Sequence, residues 1–161
     1  MVRQLLLVAA LLAAASPAAG QGGAESGNGT LTLKFGPAVF HYSKDPEHNN
    51  RPWLFGADWE RESLWSIGGV MFNNSFDQRS QYLYVGKRWF PAFTPERVYL
   101  KLTGGVLLGY KDPYHNKIPL NHRRGIAPAL LPAVGYQMER SRVQVVPLGT
   151  AGLLLTFGVS L

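Results

Sequence analysis

The sequence predicts an all-β protein, an eight-stranded antiparallel up-and-down transmembrane β-barrel. Three observations predict it. A secretion-type leader opens the chain, eight short turn-bounded runs fill the rest, and no later stretch supplies the roughly 18 continuous apolar residues of a spanning helix. The even number of runs is what closure of a single-chain barrel of this kind requires.

The leader combines Arg3, an apolar stretch over 5–12 and a small-residue tract over 13–20, with Ala18 and Gly20 placed to flank cleavage. Residues 1–20 therefore read as a signal peptide, 21–29 as a flexible Gly-rich lead and 30–161 as the barrel. Strands are expected at 30–42, 52–60, 64–76, 81–90, 98–110, 126–138, 142–148 and 151–161. The fifth alternates clearly, with Val98, Leu100, Leu102, Val106 and Leu108 on one face and Tyr99, Lys101, Thr103 and Gly105 on the other. In the eighth, Leu153, Leu155, Phe157, Val159 and Leu161 share a face. The third is apolar on both faces, Trp65, Ile67 and Met71 against Leu64, Val70 and Phe72, which suits either a hydrocarbon-filled lumen or a narrow plugged barrel. Short turns at 61–63, 91–97 and 139–141 alternate with polar loops at 43–51, 73–80 and 111–125, so the long loops share one rim. Trp53, Trp59, Trp65 and Trp89 near strand ends fit aromatic girdles.

The chain has no Cys, which removes disulfides, thiolate metal sites and a Cys nucleophile together. Its net charge of +6 points to anionic lipid headgroups, because an exported chain does not meet nucleic acid and no nucleic-acid motif is present. The basic set Lys44, Arg51, Lys111, Lys117, Arg123 and Arg124 falls on the loop rim, as headgroup ligands or as an ordinary solvated charge cluster. His48, His115 and His122 lack metal-ligand spacing, so neither a metal nor a cofactor is expected. No Gly-x-Ser-x-Gly elbow, P-loop or dinucleotide fingerprint occurs.

His41 ends the first strand, and Ser75 lies where the third strand enters its loop, at the same rim. A His within hydrogen-bond reach of a hydroxyl can remove its proton, so the pair permits acyl transfer; a rim His and a turn Ser are also common without any chemistry.

At these residues the chain resembles the PagP family of outer-membrane lipid A palmitoyltransferases. The resemblance runs from about Gly36 to the C-terminus, through Pro37-Ala38-Val39-Phe40-His41, Asn50-Arg51-Pro52-Trp53, Met71-Phe72-Asn73-Asn74-Ser75-Phe76, Val85-Gly86-Lys87-Arg88-Trp89 and Pro128-Ala129-Leu130-Leu131-Pro132. Val134-Gly135-Tyr136 and Pro147-Leu148-Gly149-Thr150 complete it. It implies His41 and Ser75 as the catalytic pair, with Asn74 where the family carries Asp. Asn cannot act as a carboxylate, so either Asp45 or Asp77 compensates or the chemistry rests on His and Ser. It further implies lateral lipid access at Pro37, Pro52, Pro128 and Pro147, an acyl-pocket floor at Gly86, and headgroup binding by Lys44, Arg51, Arg123 and Arg124. The activity implied is transfer of a palmitoyl-type chain from a phospholipid donor to lipid A by a monomer in the bacterial outer membrane. The family's amphipathic N-terminal helix has no counterpart in the short Gly-rich lead. The chain also resembles bacterial sequences labelled as sn-glycerol-3-phosphate transporters, which leaves a small channel or transporter, or a structural barrel, as the alternatives.

Overall fold

The structure, a computed structural model, describes residues 29–42, 53–121 and 125–161. The expected signal peptide and nearly all of the lead lie outside these residues. Alternating segments separated by tight turns form eight strands: β1 (Gly29–His41), β2 (Leu54–Arg61), β3 (Trp65–Asn73), β4 (Arg79–Trp89), β5 (Val98–Leu108), β6 (Ile126–Gln137), β7 (Ser141–Pro147) and β8 (Gly152–Ser160). Each pairs antiparallel with the next, and β1 pairs with β8, closing the barrel. No helix among the described residues is long and apolar enough to cross a membrane.

Alternation sorts side chains to two sides of one wall. Leu33, Phe35, Phe55, Ile67, Val85, Leu100, Leu102, Leu130, Val134, Phe157 and Val159 stand exposed on the outside. Thr32, Asp58, Glu60, Arg88, Lys101, Arg142, Gln144 and Thr156 are buried within. Such an inverted distribution exposes far more contiguous apolar area than a barrel in water tolerates. Trp65, Trp89 and Tyr136 ring the short-turn rim, and Phe40, Tyr42 and Trp53 the loop rim, all exposed.

The structure departs from the sequence pattern in two places that matter. The expected third strand ran to Phe76, but β3 stops at Asn73, because the next residue folds the chain into a turn. Leu64, expected in the same strand, sits in the preceding turn at φ 65°. The inner face of β3 is consequently Ser66, Gly68, Val70 and Phe72, apolar only toward the loop rim.

The second departure is in β1. Phe35 pairs with Phe157, but three residues later Ala38 pairs with Leu155, so the register slips by one at Pro37. A bulge reverses the parity of everything after it. Before it, even-numbered Lys34 and Gly36 face the lumen; after it, odd-numbered Val39 and His41 do, while Phe40 turns outward. His41 is a lumen residue only because of this irregularity.

Candidate functional site

The turn that carries Ser75 is built by Asn74. Asn74 N–H donates to Gln78 C=O (2.9 Å) and Asp77 N–H to Asn74 C=O (3.0 Å), a three-residue hairpin loop with Asp77 in the left-handed region at φ 58°. The Asn74 side chain completes it: Oδ1 accepts from Phe76 N–H (2.9 Å) and Gln78 N–H (3.0 Å), while Nδ2 donates to Ser80 Oγ (3.1 Å). Asn74 is 2 % exposed and both ends of its amide are committed to the turn. It is thus a positioning residue for Ser75, not a member of the pair. Its amide donates as well as accepts, and a carboxylate could not reproduce both roles.

Across the mouth, the bulged end of β1 brings His41 Nε2 to 2.8 Å from Ser75 Oγ. Asp77 accepts from Asn73 Nδ2 at 2.9 Å, which ties it to the turn. Asp45, the other carboxylate considered, lies outside the described residues.

Beneath the pair is a cavity of about 450 Å³. Its walls are chiefly apolar, with Leu54, Val70, Phe72, Leu107, Val146 and Leu154 contributing from five strands. The segment between β5 and β6 folds over the mouth and contributes Ile118, Pro119 and Leu120. Reciprocal bonds between the Gln78 amide and the Lys111 backbone, at 3.1 and 3.3 Å, anchor that segment, as does stacking of Tyr114 on Phe76 at 4.0 Å. Burial pushes the Tyr110 hydroxyl at the mouth up to about 12, so it stays protonated.

The cavity also opens sideways. The β6–β7 ladder runs only from Gln137–Arg142 to Val134–Val145, leaving the upper part of β6 unpaired on that side. Pro128 and Leu130 are exposed outward residues, yet both line the cavity, so its space reaches through the wall there. The direction of the backbone bonds explains how the edge is tolerated. Gln137 N–H points to Arg97 of the β5 side and Met138 N–H to Ser141 of the β7 side, so even-numbered β6 residues face the gap. On β7, Leu148 N–H points to Gly152, so odd-numbered residues face the gap. Pro128, Pro132 and Pro147 all fall on gap-facing positions, and none has an N–H to leave unsatisfied. On the other side of the barrel, β1 outruns its ladder with β2 after Gly36–Leu54, next to Pro37. Pro52 lies outside the described residues.

Gly86 does not form the cavity floor. It faces inward on β4, but the cavity ends one level above it, at Tyr84. The Lys101 side chain fills the intervening space, its Cε 3.2 Å from where a Gly86 Cβ would stand. That Cβ would also lie 2.9 Å from Thr103 Cγ2 and 3.2 Å from the Leu102 carbonyl. Gly86→Ala is therefore expected to cost about 1–3 kcal/mol of stability through overpacking. Urea midpoints check this; an unaltered midpoint would mean that the space beside Gly86 is open.

The floor consists of residues that motif reading passed over. Lys34 and Lys101 pair with one carboxylate oxygen of Asp58, at 2.8 and 2.6 Å, and Tyr84 Oη donates to that oxygen at 3.3 Å. Below, Glu60 lies between Arg88 and Arg142, and Arg88 donates to Gln137 Oε1 at 2.7 Å. Charged residues recurring on the inward parity of β1, β2, β4, β5 and β7 are the signal that marks them. Lys44, Arg51, Arg123 and Arg124, expected at headgroups, lie outside the described residues, as do His48 and His122. His115 pairs with Asp112, and the described residues hold no group of metal-ligating side chains.

No family model matches the chain, and no curated protein matches it. Among solved structures, the Yersinia pestis outer membrane protein Ail in a phospholipid bilayer nanodisc is similar at 14 % identity and a TM-score of 0.48, covering 83 % of this chain and 100 % of that one. The closed barrel rests on the strand ladders of this chain itself.

Proposed function

We propose that this protein is an outer-membrane acyltransferase, moving a long, palmitoyl-type chain from a phospholipid to a hydroxyl of lipid A. The observation that carries the reading is the His41–Ser75 hydrogen bond of 2.8 Å at the mouth of an apolar cavity open to the barrel exterior between β6 and β7. The exposed apolar band supports residence in a bilayer, and the lateral gap supports entry of a lipid chain that never crosses water.

In this reading the donor's chain lies in the cavity with its ester at the rim. His41 Nε2 accepts the proton of the attacking hydroxyl, and Ser75 orients the imidazole or donates to the oxygen that gains charge. The new ester C–O bond forms, the bond to the lysophospholipid breaks, and the departing oxygen takes the proton back from His41. Asn74 holds Ser75 in place.

Solute passage is the weaker reading, because two carboxylates, each flanked by two cations, occupy the lumen below the cavity. Mass spectrometry of lipid A from cells with and without the protein tests the proposal. One added acyl group is expected; an unchanged lipid A profile together with ion conductance in planar bilayers would replace the enzyme by a channel.

A further inference from the structure

The residues that end the cavity are polar, although its walls are not. Its deepest lining residue on β1 is Lys34, met by Tyr84 on β4, Thr103 on β5, Gln144 on β7 and Thr156 on β8. Lys34 and His41 stand seven positions apart along β1, roughly 20 Å of strand after allowing for the bulge. A barrel tilt of about 40° reduces this to a depth of roughly 15 Å.

Lys34 differs from its companion. Both lysines bind the same Asp58 oxygen, but Lys101 is 2 % exposed and does not line the cavity, whereas Lys34 is 11 % exposed and does. An ammonium carries three N–H donors. Two of those on Lys34 are directed to Asp58 (2.8 Å) and Tyr84 Oη (2.9 Å). One carboxylate between two ammonium groups leaves the trio with one positive charge in excess. A plain methyl terminus against this floor offers no acceptor to the remaining donor and buries uncompensated charge beside hydrocarbon.

We infer that the floor is a second polar subsite, at which an acyl chain bearing an oxygen function at its far end, a terminal hydroxyl or carboxylate that accepts from Lys34, is held more tightly than a plain chain of the same length. Such a chain is recognised at both ends, its ester at His41–Ser75 and its terminal oxygen at Lys34, with the apolar walls between them. The inference rests on the acyl-chain reading of the cavity, but its test needs no turnover.

The test is binding of two lysophospholipids, one dodecanoyl and one omega-hydroxydodecanoyl, whose extended length matches the depth of the floor, to the full protein in detergent micelles, followed by the NMR shift of Lys34 and by competition. The hydroxylated chain is expected to bind about tenfold more tightly, the worth of one hydrogen bond to a charged group, and Lys34→Met is expected to abolish the difference. Asp58 keeps Lys101 in that variant. Equal binding of the two chains by the wild-type protein overturns the inference, whether or not the variant folds, and leaves the acyl reading standing if hexadecanoyl transfer is active. Failure of both chains to enter the cavity overturns both. A hydroxyl preference without any transfer to lipid A would keep the subsite and remove the enzyme.

Discussion

In the proposed acyl transfer to lipid A, His41→Ala and Ser75→Ala are expected to lower the rate, His41→Ala by about 10²–10⁴-fold as the loss of a positioned base. The two groups share one hydrogen bond, so the double variant is expected to be no slower than the poorer single one. Binding of a hexadecanoyl chain in the cavity should survive, since neither side chain belongs to the apolar walls. That split separates chemistry from docking. Refolding yield and circular dichroism establish that the variants keep the barrel, and rates in mixed micelles then read the effect. Wild-type rates from a folded His41→Ala variant would remove the imidazole from the mechanism. Asn74→Ala provides a further contrast, because its turn would lose the bonds to Phe76, Gln78 and Ser80 while His41 and Ser75 stay chemically intact. A restored rate on tethering the turn by other means would identify the loss as one of position.

Strands were legible where alternation was undisturbed. In β5 the division into Leu100, Leu102 and Val106 outside and Tyr99, Lys101 and Thr103 inside follows from the period of two alone. Legibility failed where a single residue changes the rule. The parity switch at Pro37 depends on pairing with β8, so the inward aim of His41 is not contained in the local pattern, even though the rim position is. Likewise Asn74 ends β3 through bonds to residues as far on as Ser80, and those contacts exist only once the hairpin has formed. The pair itself was readable because two strand ends at one rim bring their terminal residues together whatever the details of the turn. Gly86 failed as a floor for a different reason: depth along a strand is predictable, but occupancy of the lumen by Lys101, reaching from β5 to Asp58 on β2, is a property of the closed barrel.

That lumen packing leads to the largest expected effect on stability. Asp58 is fully buried and is the carboxylate partner of both Lys34 and Lys101. Asp58→Ala leaves two ammonium groups facing each other inside the wall, with Tyr84 as the nearest polar oxygen for Lys34. Removal of one partner from a buried ionic cluster typically costs about 3–5 kcal/mol, far more than the net worth of the cluster, because the remaining charges stay uncompensated. The midpoint of urea unfolding in micelles is expected to fall accordingly. Asp58→Asn should fall less, since the amide oxygen still accepts from one lysine. The apolar triple replacement Lys34→Met, Asp58→Leu, Lys101→Met should recover most of the loss, because no charge is then left buried. A single Asp58→Ala variant as stable as the wild type would mean that water or a bound anion reaches the lysines in the folded barrel, and the floor would then be wet rather than sealed by its ion pairs.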